Sequence, residues 1–242
     1  MGRHLGDDSV RLGDRARVFF RSRENLLSGA GSGIVSEEDV AVAMLYGEQK
    51  DALQRSHDEM ALVGPQLGVD SNSAVIDLGC GAGRWADYLR DRAGAYVGID
   101  PNKNLIRAAR HRIPDSNCTF LHTTLRPVSR IAHGGLFDVA ILAGVIHYLD
   151  DEELLSLLHD VVDLTGKGRV YVRGPFSRYK RLTLIDEWSE VLETEYSAIY
   201  RTREEFQSLI PEAFTPVSEG NPFPNHKSRR DTFQHYWIFN VD

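Results

Sequence analysis

Residues 74–100, AVIDLGCGAGRWADYLRDRAGAYVGID, constrain this chain more than any other stretch, because they read as strand, glycine turn, helix and second strand ending on an acid. Ala74 to Leu78 is a short apolar run with β-branched Val75 and Ile76, and it stops at glycines as a buried parallel strand does. Gly79, Gly81 and Gly83 form a turn without Cβ atoms at the entrance to a helix, expected over Arg84 to Arg92. The next strand, Ala95 to Ile99, delivers Asp100 about twenty residues past the turn, where a carboxylate can accept hydrogen bonds from two hydroxyls of a ribose.

The dinucleotide pattern G-x-G-x-x-G fails here, because Arg84 stands three residues past Gly81 and the third glycine comes one residue early. Asp77 precedes the first glycine by two. The resulting D-x-G-x-G-x-G, followed by the β2 acid, resembles the cofactor motifs of the class I S-adenosylmethionine-dependent methyltransferases. That resemblance implies a Rossmann-like α/β fold: a seven-stranded, mostly parallel sheet with an antiparallel last strand and helices on both faces. It also implies S-adenosyl-L-methionine as cofactor, with Asp77 and the glycine loop at its methionine end and Asp100 at its ribose. The cofactor-binding set carried over is Asp77, Gly79, Gly81, Gly83, Asp100, Pro101, Thr124 and Ala143. No metal is implied.

At 242 residues and 42% apolar content the chain can bury one sizeable core. No run approaches the length of a membrane span, and the charged N-terminus lacks the apolar segment of a signal peptide, so a cytoplasmic protein is expected. Cys80 and Cys118 lack zinc or redox spacing and read as small buried residues. A net charge of −7 argues against a nucleic-acid partner. Two basic clusters depart from that balance, one at Arg11, Arg15, Arg17, Arg21 and Arg23 and one at His226, Lys227, Arg229 and Arg230. Each reads as a solvated face, with an anionic small molecule as the alternative.

Residues 1–70 are expected to form an N-terminal helical cap, with helices opening at Ser36 and running over 48–63, the second ended by Gly64-Pro65. In the family such a segment commonly covers the cofactor, which makes Phe19, Phe20, Arg21, Met44 and Tyr46 pocket candidates beside their plain reading as packing residues. Residues 71–242 are the cofactor-binding domain. A helix over Pro101 to His111, strands over 118–122, 136–142 and 168–173, and an amphipathic helix opening at Asp150-Asp151-Glu152 follow in order. After the third strand, where the family often has an acid for the adenine amino group, this chain has His122, Thr123 and Thr124. Recognition therefore falls to the Thr124 hydroxyl or to backbone. Residues 175–201 read as an insertion over the acceptor, with a helix expected over Ile185 to Thr194. Phe176, Tyr179, Trp188, Tyr196 and Tyr200 are its candidate substrate walls, or else a small satellite core. A helix from Thr202 and two closing strands complete the chain.

Ligands of open parallel sheets bind beyond the carboxyl ends of the strands, and after the fourth strand the chain reads Ala143-Gly144-Val145-Ile146-His147-Tyr148. His147 is the expected catalytic base or acceptor-positioning group, since imidazole titrates near neutrality; capping of the next helix is its structural alternative. Tyr148 joins the substrate set, with His122, His226, His235 and Arg173 in reserve. The flanks FFRSRENLLSGAG and YSAIYRTREEF resemble bacterial methyltransferases that decorate sugars and secondary metabolites. The resemblance implies methyl transfer to an oxygen or nitrogen of a small molecule, a sugar-like or secondary-metabolite acceptor such as an antibiotic precursor, leaving S-adenosylhomocysteine. The alternatives are a protein or RNA methyltransferase and a non-catalytic cofactor-binding module. A homo-oligomer is compatible with everything above.

Overall fold

Alternation along the central strands divides the molecule into two cores. On β1 (Ala74–Leu78), Ile76 and Leu78 point to one face of a sheet, and Val75 and Asp77 to the other. The computed structural model describes residues 12, 15, 49–125, 137–190, 194–226 and 230–242. The expected helix opening at Ser36, the candidates Phe19, Phe20, Arg21, Met44 and Tyr46, and Arg11, Arg17, Arg23, Lys227 and Arg229 lie outside the described residues.

Seven strands form the main sheet: β1, β2 (Ala95–Asp100), β3 (Cys118–His122), β4 (Val139–Ala143), β5 (Arg169–Ser177), β8 (Phe214–Gly220) and β9 (Thr232–Val241). Their order is β3-β2-β1-β4-β5-β9-β8. The first five are parallel, and β9 runs antiparallel to both β5 and β8. This is the expected Rossmann-like sheet, and the reversal of strand order between β1 and β4 opens the crevice in which such sheets hold ligands. The first core packs α4 (Asp151–Thr165) and Phe206 of α5 (Arg203–Gln207) against Ile76, Leu142, Val172 and Trp237. The second packs α1 (Gln49–Val63), α2 (Arg84–Leu89) and α3 (Lys103–Arg112) against Val75, Tyr96, Ile141, Tyr171 and Ile238.

Local chemistry explains the helix ends. Asp150 caps α4 in a reciprocal capping box with Glu153, and Thr202 does the same for α5 with Glu205. Asn102, rather than Pro101, caps α3, its side-chain oxygen accepting from the amides of Asn104 and Leu105. Pro101 therefore sits two residues before the helix that it was expected to open, next to the cap.

Two expectations for residues 175–201 are corrected. The segment Ile185 to Thr194 forms no continuous helix: β6 (Leu182–Ser189) and β7 (Thr194–Tyr200) pair as an antiparallel hairpin outside the main sheet. Helix-forming Glu and Leu are outvoted by packing, because alternation on β7 turns Tyr196, Ala198 and Tyr200 toward one apolar cluster. The insertion also starts later than expected. β5 runs on to Ser177, so Phe176 lies inside the main sheet, 1% exposed and packed edge-on against Phe206 and Trp237. It is a core residue rather than a wall of the insertion.

Candidate functional site

The glycine turn is tied to the end of β2 by backbone and side chain together. The amides of Gly79 and Cys80 donate to the Ile99 carbonyl at 2.8 and 3.0 Å. Asp100 then accepts from the Gly81 amide through Oδ2 at 3.0 Å and from the Asn102 amide through Oδ1 at 2.8 Å. An ionised carboxylate has about four acceptor sites, so two remain for hydroxyl donors. Burial pushes the Asp100 pKa up to about 6, and the amide donors of Asn102 and Gly81 hold it from rising further.

Asp77 lies deeper, 2% exposed, with the Tyr96 phenol donating to its Oδ2 at 2.6 Å. Burial pushes its pKa up to about 7 against the Tyr96 hydrogen bond and the Arg84 charge, while the charges of Asp100 and Glu59 add to the rise.

Two of the three motif glycines are required by the protein's own packing. At Gly79, φ is +84° and a Cβ would stand 2.3 Å from Cγ2 of Val145. At Gly83, φ is +83° and a Cβ would meet Cδ1 of Ile113 at 2.9 Å. The turn is thus shaped by contacts from the β4 and α3 sides as well as by any ligand. Pro101, Thr124 and Ala143 all lie at the same edge of the sheet, after β2, after β3 and at the end of β4, and Thr124 is exposed.

Beneath this edge lies a charged cluster that sequence reasoning missed in part. Glu59 of α1 is fully buried, with Oε2 2.9 Å from Arg84 Nη2 and Oε1 accepting from the Tyr171 phenol at 2.6 Å and from Arg173 Nε at 3.3 Å. Burial pushes Glu59 upward, but Arg173 and then Arg84 outweigh it, with the Tyr171 bond, and hold the carboxyl below its usual range. Its signal was present in α1: Ala52, Ser56, Glu59, Met60 and Val63 fall on the inward helical stripe, and an acid there needs a buried partner.

On the other side of β4, His147 and Tyr148 occupy a single 3-10 turn (Ile146–Tyr148), with ring centroids 3.9 Å apart. The hairpin brings Tyr196 to 6.1 Å from Tyr148 and Tyr200 to 6.3 Å from His147, and the two hairpin phenols bond to each other at 3.2 Å. Four of the expected catalytic and substrate residues therefore meet at one place. Burial lowers the His147 pKa to about 3, helped by the charges of Arg173 and Arg201, so the imidazole is neutral, and its buried Nδ1 has no hydrogen-bond partner among the described residues.

Tyr179 and Trp188 point to solvent at 76% and 66% exposure. The reserve residues are scattered: His122 bonds the Pro101 carbonyl, His226 pairs with Asp58, and His235 packs against Phe176 and Trp237. Among the described residues no acid, histidine and cysteine group is placed to hold a metal, and no helix is long and apolar enough to cross a membrane.

The sheet order, with acids ending β1 and β2 around a glycine turn, is the architecture of class I S-adenosylmethionine-dependent methyltransferases. Residues 75–168 match the family described as methyltransferase domain. Over 175 residues, 67% of this chain, the sequence is 29% identical to the O-antigen chain terminator bifunctional methyltransferase/kinase WbdD of Escherichia coli. It is 36% identical over 52 residues to the putative methyltransferase 235L of Invertebrate iridescent virus 6, 21% of this chain. These matches span 24% and 20% of the two relatives' own lengths.

Among solved structures, the magnesium protoporphyrin IX methyltransferase of Synechocystis PCC 6803 with bound SAM is similar in fold, with a TM-score of 0.63 and 14% identity over 98% of this chain and 100% of that one. A Burkholderia thailandensis 1,6-didemethyltoxoflavin-N1-methyltransferase gives 0.65 and 15% over 99% and 94%. Together these findings show the fold of the class I S-adenosylmethionine-dependent methyltransferases and a methyltransferase-domain match over residues 75–168.

Proposed function

We propose that the chain transfers a methyl group from S-adenosylmethionine to an oxygen or nitrogen of a small molecule, leaving S-adenosylhomocysteine. The observation that carries this reading is Asp100, a carboxylate at the end of β2 that spends one acceptor site per oxygen on local amides and keeps the others. Those sites suit two ribose hydroxyls, and Asp77 beneath the turn suits the ammonium of the methionine end. When bound, the sulfonium supplies an already activated methyl group, so the protein's task is largely alignment of donor and acceptor.

The wall of His147, Tyr148, Tyr196 and Tyr200 supports a ring-bearing or sugar-like acceptor, since aromatic faces pack well on flat rings. One relative is named for O-antigen chain termination, and a structure of similar fold was solved with bound 1,6-didemethyltoxoflavin. A neutral His147 whose pKa is about 3 is a poor proton sink, so within this reading it positions the acceptor through hydrogen bonding and holds no charge of its own. An amine acceptor, which already carries a lone pair, needs no more than that. A cytoplasmic location and the absence of a nucleic-acid partner belong to this same reading.

Calorimetric titration of S-adenosylmethionine and S-adenosylhomocysteine tests it. Wild type is expected to bind in the micromolar range, and Asp100→Ala to lose at least tenfold, about 1.4 kcal/mol. Wild type that binds neither compound would overturn the reading.

A further inference from the structure

The charged cluster around Arg173, midway along β5, is not balanced by its own members among the described residues. Two buried guanidiniums, Arg84 and Arg173, at 6% and 5% exposure, share the one carboxylate of Glu59. Asp77, which within the functional reading meets the ammonium of the methionine end, already accepts from the Tyr96 phenol through Oδ2 and is not left over to offset them. The sulfonium donor of the proposed reaction adds a further net positive charge. An uncompensated buried cation is expensive, and it persists where a ligand supplies the missing anion.

Geometry says which guanidinium would meet that anion. Arg84 is turned to α1, with Nη1 on the Ser56 hydroxyl and Nη2 on Glu59. Arg173 engages Glu59 through Nε alone, and its Nη1 and Nη2 face Gly144, where a Cβ would stand 3.4 and 3.3 Å away. Gly144 follows the end of β4 and stands three residues before His147, whose proton affinity is lowered by the Arg173 charge. Phe223, buried in the β8–β9 connection, covers the guanidinium at 5.6 Å. Arg173 thus stands between the glycine turn and the aromatic wall, with a planar fork suited to two oxygens.

We propose that Arg173 anchors an anionic group, a carboxylate or a phosphate, on the methyl acceptor, and that Glu59 is a positioning residue that aims it. The inference rests on the methyltransferase reading and narrows its substrate class to acidic small molecules with a ring or sugar body.

The test uses the full chain saturated with S-adenosylhomocysteine, titrated with benzoate, inorganic phosphate and the neutral benzamide. One of the two anions is expected to bind, which identifies the group, while benzamide binds at least tenfold more weakly than that anion. Arg173→Gln should weaken that anion at least tenfold and S-adenosylhomocysteine less than twofold, a split that a purely structural arginine would not produce. Should Arg173→Gln fail to fold, Arg173→Lys serves in its place: it keeps the buried charge but loses the planar fork, and should weaken that anion severalfold while S-adenosylhomocysteine stays within twofold; unchanged anion binding counts against the proposal. Binding of S-adenosylhomocysteine with neither anion bound, or anion binding indifferent to Arg173, would overturn this inference alone. No binding of S-adenosylhomocysteine would remove the functional reading beneath it.

Discussion

Asp77 shows how one residue can carry a measurable signature of the site. In the folded chain burial lifts its pKa to about 7 from an ordinary value of 3.8, so between those pH values the folded state holds a proton that the unfolded state has released. Its contribution is therefore fully present below about pH 4 and lost as pH rises through 7. Asp77→Asn removes that dependence. Urea denaturation of the cofactor-free protein should show wild type losing stability relative to Asp77→Asn between pH 5 and pH 8, and parallel profiles would refute the assignment. His147 acts in the opposite sense, since its folded pKa of about 3 lies below the ordinary 6.5 and its contribution declines as pH falls below 6.5. Asp77, Gly79, Gly81, Gly83 and Asp100 were legible in the sequence because they are close neighbours along the chain. Glu59 and Arg173 were not legible as partners, since 114 residues separate them and only the sheet and α1 bring them together.

The β6–β7 hairpin is the element on which the proposed acceptor site depends, and Arg201 fastens it. Its guanidinium is 2% exposed and spends all three nitrogens: Nε on Asp151 at 2.8 Å, Nη1 on the Ile146 carbonyl at 2.9 Å and Nη2 on the Leu149 carbonyl at 2.8 Å. Those carbonyls flank His147 and Tyr148, so the same side chain sets the hairpin against the turn that bears the candidate catalytic residue. Arg201→Ala should destabilise the protein by about 2–3 kcal/mol, because buried carbonyls lose their donors. Arg201→Lys should recover less than half of that in the same denaturation measurement, lacking the planar fork. Full recovery by lysine would mean that charge alone matters. The hairpin escaped the sequence reading because IDEWSEVLET has adequate helix formers, and its strand character comes from a partner strand and from Tyr148.

At the scale of the whole molecule, the ligand end of the sheet gathers the ends of β1, β2, β4 and β5, so a bound cofactor bridges elements from both cores. A ligand that binds only the folded state stabilises it by about 2.7 kcal/mol at a hundredfold excess over Kd. For a chain of this size that is a rise in Tm of roughly 5–10 °C. Thermal melts with S-adenosylhomocysteine should show this rise in wild type and a smaller one in Asp100→Ala at the same concentration; equal shifts would place the nucleoside elsewhere.

The strand sequence, the parallel crossover, the turn and its two acids were determined by the sequence alone, because apolar period, glycine placement and capping act within a few residues. Tertiary structure decided the rest: that Phe176 belongs to the core, that β6 and β7 form a hairpin, and that Glu59 holds two arginines. Those outcomes depend on which distant side chains share a dry space, and burial makes each pairing decisive there.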